Sequence, residues 1–420
     1  MSRMILFVAT TCYFDTNNGA SVACRALMEC LARHGFATEA VTGTVFEGAV
    51  DIDAEAFLVG EGLSHEVVPT PFAPDDHPEG PATLLRLDIR GVVAHLFRSP
   101  VARLHVPDEA ERRGFLRLCE ATMDRLRPDV VVTYGGDELA RQVRASANAR
   151  GLILAFALHN FNYRDHSAFT DVDVIFAPSR FVASFYRSKL GLDCRPLPNL
   201  IDFDRARAEV HNPRFVTFVN PSYEKGVFVF ARIADELGRR RPDIPLLVVE
   251  GRGSERMLVD CGLDLRAHGN VNVLGHVPDI RDFWGVTKIC LMPSLWWEAQ
   301  GLVAIEAMIN GIPVLGSDRG ALPETLGDGG IVLPVPPRLN PGTRELPTPT
   351  EVEPWVKAII GLWDDPVWYA EQGRRALAET RRWASEVLEP RIIEFFDELS
   401  KSASSALRPS ENTPIVLIDE

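Results

Sequence analysis

The sequence lacks several features that mark specialised classes of protein. Only five of its 44 basic residues are lysines, and acidic residues outnumber basic ones, so that the formal net charge is −14 at pH 7. Because nucleic-acid binding requires clustered basic side chains that neutralise phosphates, this charge argues against a nucleic-acid partner. The same charge gives no attraction to anionic lipids, and we expect at most peripheral contact with a membrane.

Cysteines and long apolar runs are also few. The seven cysteines are scattered along the chain, and an odd number without a C-x-x-C pair is typical of reduced thiols in the cytoplasm. No apolar run approaches the ~20 residues of a membrane-spanning helix. The start, MSRMILFVATTCYFD, has only a short apolar core and no A-x-A cleavage site, which favours a first β-strand over a signal peptide. These features predict a cytoplasmic protein without a disulfide frame or a zinc site.

Short apolar runs alternate with helical patterns over the 420 residues, which is typical of α/β proteins with parallel sheets. A chain of this length predicts two domains of about 200 residues each. We therefore predict two Rossmann-like, doubly wound domains, over residues 1–205 and 206–385, that face each other across a cleft. A helix over residues 386–401 is expected to pack back toward the first domain, and residues 402–420 to form a flexible tail.

One segment of the first domain is ambiguous. In LLRLDIRGV the apolar and polar residues alternate, which predicts a half-exposed strand, and we expect a helix after Gly91. Alternatively, Leu85, Ile89, Val92 and Leu96 would form the apolar stripe of a helix that lies on a membrane surface. The alternation and Gly91 favour the strand.

The most informative passage is SLWWEAQGLVAIEAMINGIPVLGSDRG, residues 294–320. We predict that a strand ends at Met292, that a loop runs to Gly301, and that a helix then extends to Asn310. The free backbone N–H groups of Gly301, Leu302 and Val303 would lie at the N-terminus of this helix, at the carboxyl end of a strand. Open α/β sheets hold anions at such a place, through backbone donors and the helix dipole.

Two glutamates flank this predicted anion site. Glu298 lies in the loop and Glu306 lies one turn into the helix. A carboxylate is a poor neighbour for phosphate, but it can accept hydrogen bonds from uncharged sugar hydroxyls, and Glu306 would reach a ribose diol. Two glutamates eight residues apart are by themselves more often solvated charges on a helix surface, so the surrounding sequence must decide.

Embedded in PSLWWEAQGLVAIEAMINGIPVLGSDRGALPE, the two glutamates resemble the E-x(7)-E signature of the retaining glycosyltransferases of family 4, which have the GT-B fold. The same resemblance covers the passages VNPSYEKGVFVFARIADEL, LLVVEGRGSE, VNVLGHVPDIRDFW and VIFAPSRFVASFYRSKLG. It implies a nucleotide-sugar donor held mostly by the second domain and an acceptor bound by the first. In this family the second glutamate binds the donor ribose and the first contacts the donor sugar, which would be the roles of Glu306 and Glu298.

Lys225 in YEKG is the next candidate, because it lies in the first loop of the second domain, just before a predicted helix. At the family's own position, its ammonium would meet the donor diphosphate and stabilise charge as the leaving group departs. The alternative is a solvated surface lysine. The family usually has an arginine a few residues before this lysine, whereas here Asn220 stands near that place. This departure implies weaker fixed charge at the phosphate, an arginine supplied from elsewhere, or reduced activity.

The resemblance implies further site residues on both domains. Gly19 in NNGAS matches a glycine that the family brings against the donor phosphates and sugar, although a tight turn would equally explain it. His159 in ALHNFNYRD would lie near the reaction centre, with a structural histidine as the alternative. Gly251 in EGRGS lies where the family lines the donor site, but a lone G-x-G is a weak pattern. Val277 in VNVLGHV lies where backbone groups usually meet the base.

We therefore predict a glycosyltransferase of the hexosyltransferase type that uses a nucleotide-sugar donor and retains the anomeric configuration. We expect no cofactor and, because no Asp-x-Asp motif lies in a predicted cleft loop, no catalytic metal. The sequence leaves open the nucleotide and the sugar. It also leaves open whether the acceptor is a small molecule, a glycan, a lipid or a peptide.

Three other functions are compatible with the same fold. A phosphorylase-like enzyme would need a cofactor lysine, and a nucleotide-sugar epimerase would turn over a donor without an acceptor. A non-catalytic relative would bind a nucleotide sugar or a protein partner. The missing arginine near Asn220 is the feature that favours the last of these.

Overall fold

The computed structural model describes residues 3–16, 18–47, 52–70, 82–98, 108–251, 253–275, 277 and 279–406. These residues form two β-sheets, each covered by helices. The strands of the first sheet are β1 (Met4–Thr11), β2 (Ala37–Val45), β3 (Glu66–Pro69), β4 (Thr83–Ile89), β5 (Val92–Arg98), β6 (Val130–Thr133), β7 (Ile153–Ala157), β8 (Val174–Ala177) and β9 (Cys194–Pro196). The helices of this half are α1 (Gly19–Arg33), α2 (Ala54–Gly60), α3 (Glu109–Leu126), α4 (Glu138–Ala149), α5 (Arg180–Leu190) and α6 (Phe203–Ala206).

The second sheet is parallel throughout. Its strands are β10 (Phe215–Val219), β11 (Leu246–Val249), β12 (Val271–Leu274), β13 (Thr287–Met292), β14 (Val314–Ser317) and β15 (Ile331–Leu333). The helices of this half are α7 (Val227–Arg240), α8 (Glu255–Val259), α9 (Arg281–Trp284), α10 (Leu302–Ile309), α11 (Leu322–Leu326), α12 (Pro349–Asp364) and α13 (Pro366–Thr380). A final helix, α14 (Ser385–Ala406), follows. The predicted α/β architecture with two facing Rossmann-like domains is therefore confirmed.

The segment after Gly91 differs from the sequence prediction. Residues 92–98 form the strand β5, which pairs antiparallel with β4, and not a helix. Arg90 and Gly91 both have positive φ, 48° and 84°, which is the conformation of a tight two-residue hairpin turn. Leu85 and Ile89 lie in β4, and Val92 and Leu96 lie in β5. The two-residue turn makes these strands adjacent and antiparallel, so the four residues do not form the stripe of a helix.

Each sheet has one point at which the strand order reverses. The first sheet has the order β3-β4-β5-β2-β1-β6-β7-β8-β9, and the chain moves outward from β1 and then returns to β6 on its other side. The second sheet has the order β12-β11-β10-β13-β14-β15, with the same reversal between β10 and β13. Open α/β sheets bind ligands in the crevice beyond the carboxyl ends of the strands at such a point. The loops after β1, β6, β10 and β13 are thus the places where a site is expected.

Helix α14 connects the two halves of the molecule. Near its start, Leu388 packs with Ile305 and Ile309 of α10. Farther along, Phe395 and Phe396 pack edge-on against Phe176 of the first sheet, with ring centroids 5.7 and 6.2 Å away. The helix continues to Ala406, so that residues 402–406 of the predicted flexible tail are helical, and residues 407–420 lie outside the described part of the chain.

The cysteines and one group of possible metal ligands also bear on the sequence predictions. All seven cysteines are free and buried. Within the described ranges, one group of side chains has ligand atoms close enough for a metal ion, Cys30, His34 and Glu389. The Arg33 guanidinium lies 2.5 Å from the Glu389 carboxylate and neutralises it. Arg33 and Glu389 therefore form an ion pair that holds α14 to α1.

No helix of the described residues is both long and apolar enough to cross a bilayer.

We expect that Phe396→Ala destabilises the first domain strongly. Phe396 is fully buried between α14 and the first sheet, and truncation of a buried phenylalanine costs about 3–5 kcal/mol through lost burial and the cavity left behind. Chemical denaturation would measure the loss. Val387→Ala on the same helix is the matched control, because Val387 is 45% exposed and should change the midpoint little. Equal shifts for both variants would contradict the packing of α14 described above.

Candidate functional site

The loops that follow β10 and β13 are in direct contact. Gly226 has φ of +82° and lies so close to the carbonyl oxygen of Pro293 that a Cβ atom would overlap it. Only glycine satisfies both conditions. The backbone N–H groups of Leu295 and Trp296 both donate to the carbonyl oxygen of Glu224 at 2.9 Å. The close approach of these two loops brings their side chains together at the point where the strand order reverses.

Lys225 and Glu298 form an ion pair at this junction. The Lys225 Nζ lies 2.6 Å from Oε1 of Glu298, and the Ser294 hydroxyl donates to the same oxygen at 2.7 Å. The Glu298 side chain is 9% exposed and the Lys225 side chain 27% exposed, so the lysine is the partner that faces solvent. A buried carboxylate needs a cation and hydrogen-bond donors. Lys225 supplies the cation, and Ser294 supplies a further donor.

The main chain of Glu298 is fixed as well as its side chain. Gly320, at φ of +62°, packs against the backbone of Trp297 and Glu298 without room for a Cβ atom. The N–H of Ala321 donates to the carbonyl oxygen of Glu298 at 2.7 Å. The glutamate is thereby positioned by the segment that follows β14, which lies next to β13 in the sheet.

Two helices begin beside this ion pair without a side-chain cap. The residues before α7 and α10 are Gly226 and Gly301, both with positive φ, and no side chain bonds to the first N–H groups of either helix. In α10 the uncapped positions include Leu302 and Val303, as the sequence predicted. Uncapped N–H groups and the positive end of the helix dipole favour an anion at this place.

Glu306 lies one turn into α10, on a partly buried surface. Burial raises the pKa of its carboxyl to about 7, whereas the Trp284 indole and the Arg205 guanidinium favour the ionised form. The carboxyl is therefore close to half protonated at neutral pH. A carboxyl group held near this pKa can accept hydrogen bonds from a diol once it is ionised, and it carries less negative charge than an exposed glutamate when it is not.

Asn220, which the sequence predicts at the donor site, connects two loops of the second domain. Its φ is +61°, and its Oδ1 accepts a hydrogen bond of 2.7 Å from the N–H of Gly253. Gly253 lies against the backbone of Pro221 and Ser222 with no room for a Cβ atom, and Gly251 lies close to Asn220. Asn220 thus joins the loop after β10 to the loop after β11 and brings no positive charge to the site. Val277, half-buried beside α9, lies at the end of the neighbouring loop, between residues outside the described part of the chain.

The loops after β1 and β6 form a second polar group on the first sheet. Gly19 opens α1, where the side chain of Asn18 accepts hydrogen bonds from Ala20 and Ser21. A Cβ atom at Gly19 would meet nothing within 4 Å, so the surface above this residue is open. The Tyr134 hydroxyl lies 2.7 Å from that of Ser21. Hydroxyl-bearing side chains and the exposed Gly19 therefore lie together where the first sheet reverses its strand order.

His159 follows β7, next to this group. Burial lowers the pKa of its imidazole to about 4, so the ring is neutral at pH 7. Its Nε2 lies 3.6 Å from the sulfur of Cys24, and its ring meets that of Tyr134 edge-on at 6.2 Å. A small pocket beside it is lined by Asn199 and by apolar side chains of α1, β8 and α14. A neutral imidazole can hydrogen-bond to a ligand, but it does not supply a proton at neutral pH.

The structure thus groups the predicted residues in two sets. Lys225, Glu298 and the start of α10 lie together on the second sheet, with Glu306 one turn farther along. Gly19 and His159 lie beyond the carboxyl ends of two strands of the first sheet, β1 and β7. Sequence analysis missed Ser294, although a hydroxyl four residues before a glutamate in a loop is a pattern that it could have weighed. It also missed Gln300 and Glu324, whose contacts lie on the other domain.

Part of the chain is similar in sequence to known glycosyltransferases. Residues 213–365 match the model of the family described as glycosyl transferases group 1. The phosphatidyl-myo-inositol mannosyltransferase of Mycolicibacterium smegmatis is 28% identical over 180 residues, which are 42% of this chain and 42% of that protein. The D-inositol 3-phosphate glycosyltransferase of an Arthrobacter species is 30% identical over 158 residues, 36% of this chain and 34% of that protein. The matched segments thus span less than half the length of these curated relatives.

Solved structures resemble the chain over almost its whole length. A sucrose-phosphate synthase from Thermosynechococcus elongatus superposes with a TM-score of 0.66 at 16% identity, covering 95% of this chain and 100% of that one. The Anabaena protein HepE, solved in complex with UDP and glucose, superposes with a TM-score of 0.61 at 16% identity, covering 96% and 100%. At these identities the likeness concerns the fold. The chain therefore has the GT-B fold, and its residues 213–365 match the family model of the glycosyl transferases group 1.

Proposed function

We propose that this protein is a glycosyltransferase that moves a sugar from a nucleotide-sugar donor to an acceptor hydroxyl, with retention of configuration and without a metal ion. The observation that carries the proposal is the Lys225–Glu298 pair, 2.6 Å apart beside the uncapped start of α10. A cation and backbone donors suited to a diphosphate thus lie next to a carboxylate suited to the hydroxyls of a sugar, and this supports the proposal. The matching relatives that bear names of this activity support it.

In this proposal each group of the second domain has one task. The diphosphate lies between Lys225 and the N-terminus of α10, the ribose diol bonds to Glu306, and the sugar hydroxyls bond to Glu298. Gly19 approaches the donor from the first domain, where its open surface leaves room for phosphate or sugar. Neutral His159 hydrogen-bonds near the reacting centre. The acceptor enters over the first domain.

The reaction breaks the bond between the anomeric carbon and the donor phosphate oxygen. The acceptor oxygen bonds to the same face of that carbon, and the acceptor proton passes to the departing phosphate oxygen. Lys225 and the helix start stabilise the charge that develops on the leaving group. Glu298 is bound to Lys225 and Ser294, so its task is to hold the sugar and not to attack it. Closure of the cleft excludes the water that would hydrolyse the donor.

A non-catalytic, donor-binding protein is the second candidate. It is favoured by Asn220, whose side-chain oxygen binds Gly253 and which brings no charge near the place where the family resemblance implies an arginine. Both functions require that a nucleotide binds, but only the first requires that the donor bond breaks. Hydrolysis or transfer of a nucleotide sugar therefore separates them.

The proposal can be tested by a thermal-shift screen with glucose conjugates of UDP, GDP, ADP and dTDP. A ligand at 100 times its dissociation constant adds about 2.7 kcal/mol to stability, which a melting curve detects. Release of the nucleoside diphosphate from the bound donor then measures activity. We expect activity to be unchanged by EDTA, since Lys225 and the helix start supply the positive field. A large loss that Mg²⁺ or Mn²⁺ restores would contradict the metal-free mechanism.

Lys225 and Glu298 should not act independently. Lys225→Ala removes a charge-assisted contact to phosphate worth about 1.5–3 kcal/mol, and we expect affinity for the bare nucleoside diphosphate to fall ten- to a hundredfold or more. Glu298→Gln should raise that affinity, because it releases the lysine, while turnover falls. In the double variant the nucleotide affinity should equal that of Lys225→Ala alone.

Calorimetric titration of all three variants measures these affinities. Ser294→Ala is the matched control, because it removes a hydrogen bond to the same oxygen of Glu298 without changing any charge. If Glu298→Gln weakens nucleotide binding as much as Lys225→Ala does, the assignment of phosphate and sugar to different residues is wrong.

Glu306 should make nucleotide binding depend on pH. Its pKa is about 7, so the carboxylate that accepts the ribose hydroxyls is mostly absent at pH 6 and mostly present at pH 8. Wild-type affinity should therefore rise about tenfold over this range, relative to Glu306→Gln measured with the same ligand. The comparison cancels the titration of the phosphate itself. Parallel pH profiles for the two proteins would remove Glu306 from the ribose site.

A further inference from the structure

Glu324 of α11 joins the second domain to the start of a first-domain helix. One of its carboxylate oxygens accepts the backbone N–H of Arg180 at 3.0 Å, and the other accepts that of Phe181 at 2.9 Å. These are the first two residues of α5, and the Ser179 hydroxyl caps Val182. A carboxylate at a helix N-terminus satisfies free N–H groups and interacts favourably with the helix dipole. A residue of one domain thus completes a helix of the other.

The backbone contacts matter more here than the ion pair between the same residues. The Arg180 guanidinium also bonds to Glu324, through Nε at 3.3 Å, but its side chain is 78% exposed whereas that of Glu324 is 19% exposed. Water and salt weaken an exposed pair of this kind. The two N–H groups are fixed in the helix, so their hydrogen bonds to Glu324 specify the position of α5 relative to α11.

A short segment links Glu324 rigidly to Glu298. Ala321, three residues before Glu324, donates its N–H to the carbonyl oxygen of Glu298 at 2.7 Å. Thr325, one residue after it, donates its hydroxyl to the carbonyl oxygen of Gln300. Arg382 holds the carbonyl oxygens of Glu324 and Thr325 from the other side, at 2.5 and 2.8 Å. The cap on α5 and the loop that carries Glu298 therefore belong to one hydrogen-bonded unit.

The same loop contacts the first-domain side directly, on both sides of Glu298. Gln300 exchanges two hydrogen bonds with the backbone of Asn199, of 2.9 and 3.3 Å. Trp297 packs against Phe161, Phe181 and Phe185, with ring centroids 5.5, 6.3 and 5.0 Å away. Phe181 receives both the ring contact from Trp297 and, through its N–H, the carboxylate of Glu324. The contacts on either side of Glu298 thus converge on the start of α5.

We propose that Glu324 is a positioning residue, which holds the start of α5 against the second domain and thereby sets the place of Glu298 relative to the first domain. In a glycosyltransferase this place is where the donor sugar meets the acceptor side, so this consequence rests on the function proposed above. Glu324 touches neither donor nor acceptor. Its loss should leave the diphosphate contacts of Lys225 and α10 intact, while the sugar and the first domain are no longer aligned.

The test compares Glu324→Ala and Glu324→Gln with Arg180→Ala in the full chain without ligand. Arg180→Ala is the matched control, because it removes the exposed guanidinium and keeps both backbone hydrogen bonds. We expect hydrogen exchange of residues 296–301 to rise at least tenfold in Glu324→Ala and to remain at the wild-type rate in Arg180→Ala. Small-angle scattering should show a larger radius of gyration for Glu324→Ala alone. Glu324→Gln keeps one acceptor oxygen, so its exchange rate and radius of gyration should lie between those of wild type and Glu324→Ala. If the alanine variant does not fold, the glutamine variant provides the test.

Kinetics then separate positioning from a purely structural role. With UDP, GDP, ADP and dTDP alone, the affinity of Glu324→Gln should stay within about twofold of wild type, whereas kcat for the donor found in the screen should fall tenfold or more. Wild-type exchange and scattering in both Glu324 variants would overturn the proposal, as would an equal effect of Arg180→Ala. If wild type binds no nucleotide and cleaves no donor, the proposed function fails instead. The exchange and scattering results still decide whether Glu324 positions the loop of Glu298.

Discussion

The contact between the loops after β10 and β13 is the constraint on which the rest of the site depends. The two strands are neighbours at the reversal of the second sheet, and their loops touch because Gly226 has no Cβ to separate it from Pro293. This contact brings together the Lys225–Glu298 pair and the start of α7, and the start of α10 follows a few residues after Glu298; neither helix has a side-chain cap. A side chain at position 226 would move the lysine away from the glutamate, and both from the anion position that the helices define.

Protonation sets the electrostatic character of the site as much as the choice of residues does. Glu298 is buried but paired with Lys225, so this pair adds no net charge. Burial holds the pKa of Glu306 near 7, and His159 is neutral because burial lowers its pKa to about 4. A site with two glutamates in a protein of acidic overall charge can therefore still accept an anion, since the start of α10 has no side-chain cap and little fixed negative charge lies beside it.

The sequence predicted the features that depend on neighbouring residues. The helix expected from Leu302 is α10, because Gly301 and Gly311 mark its ends locally. The hairpin at Gly91 was missed, since alternation alone does not show that a tight turn joins two strands. The role of Asn220 and the contacts of Glu324 lie beyond any sequence pattern. Their partners, Gly253 and the start of α5, are 33 and more than 140 residues away along the chain.

The distribution of contacts explains how two separate sheets can share one site. Helix α14 crosses between them, but a helix alone fixes their distance more than their orientation. The contacts of Glu324 with α5 add to orientation, and so does the loop of Glu298, through Trp297 on one side and Gln300 on the other. Glu298, which we propose to bind the donor sugar from the second domain, is thus held by contacts to the first. The position of Glu298 and the relative position of the two domains therefore depend on the same contacts.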